Sequence, residues 1–335
     1  MALGDVLRAT VFTNALRRTI PDAHVTFAVG DYASIALLNN PDIDNLLPMG
    51  LLGTPRRYNL GSYLAFAQKL RRDRYDVAFV LDRSPAMTLL PYLARIPYRI
   101  GLDSQYRGFS NTTRVSILQD ENEISAYRRL AASVGIDASS SSCVFCPNHE
   151  DTVMARRLAE EFSPAESLRH ILIAPGGGMN PGAVDLTKRW PAERYAALGD
   201  RLINDFDVHV SLIGTASDAN SIGAVKRAMT APVTDLTGRT SFGQLGALMS
   251  QSHLVVGNDS AATHLSVSVG TPTVTVFTST EPWIYGSDSD HDVPIYTGSP
   301  NEGLGKIPTV AMVLAAARQL LRSAPTSPPA SHPPK

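Results

Sequence analysis

The stretch His253-Leu-Val-Val-Gly-Asn-Asp-Ser-Ala-Ala-Thr-His264 reads as a short buried strand, a polar turn and the opening of a helix. The helix Ala261–Val269 leads straight into a second strand, Thr273-Val-Thr-Val-Phe277. Strand, helix and strand in close succession mark a parallel sheet with helical crossovers. Upstream the pattern repeats. Ile171-Leu-Ile-Ala-Pro175 is a compact strand running into Gly176-Gly-Gly178, and Pro191–Phe206 is a helix opened by proline. Val208–Ile213 is a strand ending at Gly214, Ser217–Met229 and Phe242–Ser250 are helices, and Val233–Leu236 is a short strand. Thr309–Arg322 is the closing helix.

The first half alternates in the same way. Helical Val6–Thr19, Leu60–Arg72 and Ala86–Ala94 separate the strands His24–Val29, Val77–Leu81 and Tyr98–Gly101. Glu121–Val134 and His149–Phe162 carry apolar residues three and four apart, the helical period. The chain therefore divides into two doubly wound α/β domains, 1–165 and 166–322, joined near 163–170. Residues 323–335, rich in Pro and Ser, read as a disordered tail. Ligands of such sheets sit beyond the carboxyl ends of the strands, so the cleft between the two domains is the expected site. A Rossmann-like domain ordinarily opens with a buried strand, whereas Leu3-Gly-Asp5 has the look of the loop that follows one. The favoured expectation is that the given start lies downstream of the true one. The alternative is a first sheet that lacks a strand near its centre.

Composition narrows the function. Thirty basic and thirty-one acidic residues give a net charge of −1, which removes the footprint of a general nucleic-acid binder. No stretch approaches the ~20 apolar residues of a membrane span, and Met1–Arg8 lacks the features of a secretory signal. A soluble cytoplasmic protein is the simplest expectation. Cys143 and Cys146 form a lone CxxC, half a zinc site or two ordinary thiols. Lysine occurs only at 69, 188, 226, 306 and 335, so a lysine inside a motif carries weight.

Three segments carry candidate chemistry. The helix opening at Ser260 and Ala261 presents unpaired N–H groups and a positive dipole end, suited to phosphate. Asp259 would orient the loop or accept a ribose hydroxyl, and His264, one turn in, would donate to a phosphate oxygen. A plain Asp/Ser cap with a buried histidine fits the same residues. In the second segment, Gly176–Gly178 is followed by Thr187-Lys-Arg-Trp-Pro191, which places Lys188 at the mouth of a glycine turn. There it would act as a point charge on a departing phosphate, or simply be a solvated base before a helix. The third is Gly4-Asp5, with Asp5 either a general base or a helix cap. Asp288-Ser-Asp290 matches a metal-binding DxD but sits in an acidic, serine-rich run typical of solvated loops. Gly176–Lys188 lacks the spacing of a P-loop.

Together the segments resemble glycosyltransferase family 9, the ADP-heptose:lipopolysaccharide heptosyltransferases. The resemblance runs to about residue 320. It rests on Leu3-Gly-Asp-Val-Leu7, Ile20-Pro-Asp-Ala-His-Val25, Arg74-Tyr-Asp-Val77 and Tyr98-Arg-Ile-Gly101. Ala174-Pro-Gly176, Lys188-Arg-Trp-Pro191, Gly238-Arg-Thr-Ser241 and Gly257-Asn-Asp-Ser260 with His264-Leu265 continue it. Thr271-Pro272 and Phe277-Thr-Ser-Thr280 complete the order. The resemblance implies an α/β GT-B fold with an N-terminal acceptor domain and a C-terminal nucleotide-sugar domain. It implies an inverting, metal-independent transferase whose only small-molecule requirement is its donor, ADP-heptose or a related nucleotide sugar. In that pattern Asp5 is the general base, and Thr187, Lys188, Asp259, Ser260, Ala261 and His264 face the donor. Ala261 stands where the family commonly has Gly, which narrows the space for phosphate, and Asp218 is the candidate for the ribose.

Other readings remain beside this one. A different nucleotide sugar would serve a capsule, glycoprotein or secondary-metabolite acceptor on the same fold. A non-catalytic nucleotide-sugar binder and a GT-B-like epimerase share the plan. A lipid-linked acceptor would hold the enzyme at the cytoplasmic face of the membrane. Arg17-Arg18 and Arg71-Arg72-Asp-Arg74 would then help, although solvated helix faces explain them equally.

Overall fold

The computed structural model describes residues 2–53, 59–162, 168–180 and 183–323. The chain forms two compact units, one of Met1–Leu37 with Pro41–Cys143 and one of Leu38–Asn40 with Val144–Lys335. This boundary precedes the expected 165 because His149–Phe162 packs on Phe242–Ser250 of the second unit. Asp151 lies where a Cβ on Gly243 would stand, and Phe145 meets Phe242 edge-on at 5.4 Å. Most of the expected joint at 163–170, and the tail after Ser323, lie outside the described residues.

The first unit begins with α1 (Leu3–Thr19), buried on nearly every side. Leu3-Gly-Asp5 is helical rather than a loop. The reason is local: Asp5 Oδ2 accepts the Ala2 N–H at 2.8 Å, satisfying a donor the helix start leaves open. Thr10 and Thr13 are buried in this helix because their hydroxyls donate back to Leu7 and Thr10 carbonyls at 2.6 and 3.0 Å. Then follow β1 (Thr26–Val29), β2 (Asn45–Pro48), α2 (Leu60–Asp73), β3 (Val77–Val80), α3 (Pro85–Leu93), β4 (Tyr98–Asp103), β5 (Thr113–Ser116) and α4 (Glu123–Ala132). Among the described residues these strands form two separate parallel sheets, β1–β2 and β3–β4–β5. Phe12 of α1 reaches Phe79 of β3, ring centres 4.7 Å apart.

The second unit continues with α5 (His149–Phe162), β6 (Arg169–Ala174), α6 (Ala192–Asp205), β7 (Val208–Leu212), α7 (Ala219–Ala228), β8 (Thr234–Asp235) and α8 (Phe242–Ser250). It closes with β9 (Leu254–Asn258), α9 (Ala261–Ser268), β10 (Thr273–Val276), β11 (Asp292–Ile295) and α10 (Val310–Ser323). Six of its strands form one all-parallel sheet in the order β8-β7-β6-β9-β10-β11. That is the doubly wound Rossmann order, whose direction reverses between β6 and β9, and ligands lie at such a switch point. β6 and β9 are buried along their length because helices cover both faces, which explains their unbroken apolar runs.

Candidate functional site

The two turns flanking the switch point, after β6 and after β9, are tied by one buried side chain. Asn258 is fully buried and uses its whole amide. Its Oδ1 accepts from Trp190 N–H and from the Tyr195 hydroxyl, both at 2.8 Å. Its Nδ2 donates to the carbonyls of Pro175 and Gly176 at 3.1 and 2.8 Å. One amide thus joins the end of β9, the glycine turn after β6 and the Lys188–Pro191 segment. Trp190 is itself anchored, its ring N–H donating to Pro308 C=O at 2.8 Å and its ring standing perpendicular to that of Tyr195, centres 4.9 Å apart.

The next residue, Asp259, gathers the charged groups. Lys188 Nζ donates to its Oδ2 at 2.8 Å and Thr280 Oγ to the same oxygen at 2.7 Å. His264 Nε2 stands 3.2 Å from Oδ1. Burial pushes the Asp259 carboxyl up, yet the His264 bond and charge and the Lys188 ammonium outweigh it and hold it well below the usual carboxylate range. An ionised carboxylate only accepts, so His264 Nε2 carries the proton in that bond. The Lys188 side chain is 24% exposed, and Asp259 occupies one of its three N–H donors.

Around this pair the backbone is shaped for close approach. Gly177 and Gly178 have φ of +100° and +75°. A Cβ on Gly177 would stand 2.7 Å from the Ser260 side chain, so the glycine turn reaches the start of α9. Ser260 caps α9, its N–H bonding Thr263 Oγ at 3.3 Å, and Ala261 follows half-buried. Thr187 is exposed in a single 3-10 turn, Leu186–Lys188, and its C=O accepts from Thr278 Oγ at 2.7 Å.

Asp218 lies in the same unit but is differently engaged. One oxygen accepts Gly177 N–H and Arg189 at 3.1 Å each, and the other accepts Thr215 N–H and hydroxyl at 3.1 and 2.7 Å. Buried and fully bonded, it braces the glycine turn.

Asp5 belongs to the first unit. Its Oδ1 accepts from Arg8 at 2.8 Å, and its side chain is 35% exposed. Buried Arg8 also pairs with Glu123 at 2.6 Å, and Arg83 stands 3.9 Å from the other Glu123 oxygen. Beneath them burial, then the Glu123 charge, pushes the Tyr127 phenol well above its ordinary value.

Among the described residues no group of His, Cys, Asp or Glu is arranged to hold a metal, and no helix is long and apolar enough to cross a membrane. Asp288 and Asp290 are exposed, and Cys143 and Cys146 are half-buried.

The model of glycosyltransferase family 9 (heptosyltransferase) matches residues 63–299. The chain belongs to this family. An Escherichia coli protein named lipopolysaccharide heptosyltransferase 3 is 23% identical to it over 347 residues, covering 96% of this chain and 98% of that one. The family 9 glycosyltransferase of Veillonella parvula superposes with a TM-score of 0.81 at 21% identity, covering 96% and 95% of the two chains. The Escherichia coli ADP-heptose lps heptosyltransferase II does so at 0.75 and 22%, covering 96% and 97%. The fold is thus the α/β GT-B fold of the family, as the resemblance implies, and this family 9 member is a glycosyltransferase.

Several residues that build its second-unit site gave little sequence signal. Asn258 reads as one more turn residue, and only its burial shows it to be the tie. Thr280 sits in a short polar run after β10, and Arg189 is overshadowed by Lys188. Asp292, in β11, is buried two residues beyond the exposed DxD, with Oδ1 accepting from Thr275 at 2.8 Å. Burial, reinforced by the Asp259 charge, raises its carboxyl to about 7 despite the Thr275 bond.

Proposed function

We propose that this chain moves a heptose from ADP-heptose to a hydroxyl of a lipopolysaccharide-core acceptor, with inversion at the anomeric carbon and without a metal. The carrying observation is the Lys188–Asp259–His264 cluster beside the start of α9, at the switch point of a Rossmann sheet. Positive groups gathered at a helix N-terminus suit a diphosphate. The named donor and acceptor of the Escherichia coli structural relative supply the choice of ADP-heptose and lipopolysaccharide.

Each residue then has a task. Asp5, partly exposed and oriented by Arg8 and Ala2 N–H, takes the proton from the acceptor hydroxyl as that oxygen attacks. Negative charge grows on the leaving diphosphate, and Lys188 with the N–H groups opening α9 stabilises it, each fixed contact supplying ~3 kcal/mol. Asp259 holds Lys188 and His264 in place beforehand, so little reorganisation is needed when the charge develops. Thr187, Ser260 and Ala261 line the approach, and Asp218 supports the turn rather than touching the ribose. The acceptor is lipid-linked in this reading, which puts the reaction at the cytoplasmic face of the membrane.

The test is turnover with ADP-heptose and a heptose-deficient core oligosaccharide. Asp5→Ala should lose ~10²–10⁴-fold in kcat while keeping ADP affinity. Equal loss of both would refute the base assignment. Transfer from GDP- or UDP-sugars alone would refute the donor.

A further inference from the structure

The turn after β4 carries more strain and more exposed aromatic surface than a connection requires. Gln105 and Tyr106 are both left-handed, with φ of +52° and +63°, and Arg107 N–H closes the turn on Ser104 C=O at 3.1 Å. Two successive left-handed residues form the mirror-image turn that Asn-Gly fills, because larger side chains adopt it only under strain. Here a glutamine and a tyrosine fill it, and Tyr106 is 83% exposed.

Neighbours hold that strained conformation. Asp103 Oδ1 accepts Gly108 N–H at 3.0 Å, and the hydroxyl of buried Thr88 donates to Arg107 C=O at 3.0 Å. Ser110 Oγ in turn donates to Thr88 C=O at 2.7 Å. Phe109, 59% exposed, follows three residues later on the same braced loop. Strain retained by its surroundings at the carboxyl end of a parallel strand is a pointer to function.

That end of the unit also holds Asp5. Arg83, just beyond β3, faces Glu123 at 3.9 Å, and Arg8 joins Glu123 at 2.6 Å to Asp5 at 2.8 Å. β4 is the strand hydrogen-bonded to β3. The chain of ion pairs therefore ties the proposed base to the carboxyl end of the sheet, from which the Tyr106 turn rises.

We propose that Tyr106, with Phe109 on the same loop, is the platform on which a sugar ring of the acceptor stacks, and that it sets acceptor specificity. The inference rests on the acceptor role given above to the first unit. The C–H face of a pyranose is apolar and carries partial positive charge, which suits the negative face of an aromatic ring. A ring held by a rigid turn loses little entropy when the sugar arrives.

The experiment is calorimetric titration of the full chain, with ADP bound, by a deacylated heptose-deficient core oligosaccharide. Tyr106→Ala should weaken binding at least tenfold, Tyr106→Trp should restore it, and ADP affinity should stay within twofold in both. Tyr106→Gly should lose the same binding yet raise the melting temperature by about 2–4 °C, because glycine relieves the turn. The stability gain shows that the variant is folded. Unchanged oligosaccharide affinity in Tyr106→Ala overturns the inference, as does a loss that Trp fails to restore or an unmodified chain that does not bind. Reduced co-sedimentation with phosphatidylglycerol vesicles at unchanged oligosaccharide affinity would assign the ring to a bilayer instead, and also overturns it. Asp5→Ala separates the two ideas: normal binding without turnover supports the first unit's role, whereas full turnover sinks that reading whatever Tyr106 does.

Discussion

Replacing Asn258 by alanine tests how the second-unit site is held together. The side chain is fully buried and makes four hydrogen bonds, so the substitution leaves Trp190 N–H and the Tyr195 hydroxyl without an acceptor. It also removes a donor from the Pro175 and Gly176 carbonyls. A neutral hydrogen bond contributes ~1 kcal/mol net, and an orphaned buried group costs about 1–3 kcal/mol. Partial relaxation trims the sum, giving a loss of roughly 3–5 kcal/mol, a large part of a domain's stability. For a unit of this size that is a fall of roughly 6–20 °C in the melting transition, read by circular dichroism. Asn258→Asp should be at least as harmful, because it sets a carboxylate oxygen against two carbonyls. ADP affinity should fall with stability, since Lys188 and Asp259 flank the same tie. A loss under 1 kcal/mol with unchanged ADP affinity would show that Asn258 is no tie.

Two buried groups give opposite pH signatures. Burial, then the nearby His209 and His253, lowers His170 from 6.5 to about 3, while an unfolded chain takes up that proton near 6.5. Its contribution to stability is therefore present above pH 6.5 and is lost as pH falls toward 3, by roughly 1.4 kcal/mol per unit. Urea midpoints from pH 7 to 4 should fall less steeply in His170→Gln, and an unchanged slope would contradict this. Asp292 runs the other way: burial raises it from 3.8 to about 7, so its contribution is present below 3.8 and lost as pH rises through 7. Asp292→Asn should gain stability over the unmodified chain at pH 8 and less at pH 5, and equal effects at both would remove Asp292 from the balance.

The second unit was largely legible in the sequence because its signals are local. A β-branched strand, a polar turn and small residues at a helix start sit within His253–His264, and the glycine turn follows directly on Ile171–Ala174. What escaped depends on partners far along the chain. Asn258 is polar in a polar turn, and only contacts with Trp190 and Tyr195 reveal its task. Asp218 has the right place for a ribose ligand, but its oxygens are taken by Gly177, Arg189 and Thr215. Around Asp288–Asp292 the local pattern is the same for three acids, and pairing of β11 with β10 buries only the last. At the N-terminus the helix cap and the proposed base are one residue, so Gly4-Asp5 supports both readings. The Arg8–Glu123 pair that orients it spans more than a hundred residues and leaves no local trace.

The most direct test of the donor site is calorimetric titration of the chain with ADP, GDP and UDP beside Lys188→Ala. Lys188 brings an aliphatic ammonium to the Asp259 cluster, and losing a hydrogen bond between charged groups costs about 1.5–3 kcal/mol. Selective ADP binding that weakens at least tenfold in Lys188→Ala, in a variant that still melts cooperatively, is the expected result. Binding of ADP that is indifferent to Lys188, or no nucleotide binding by the folded chain, would contradict the account.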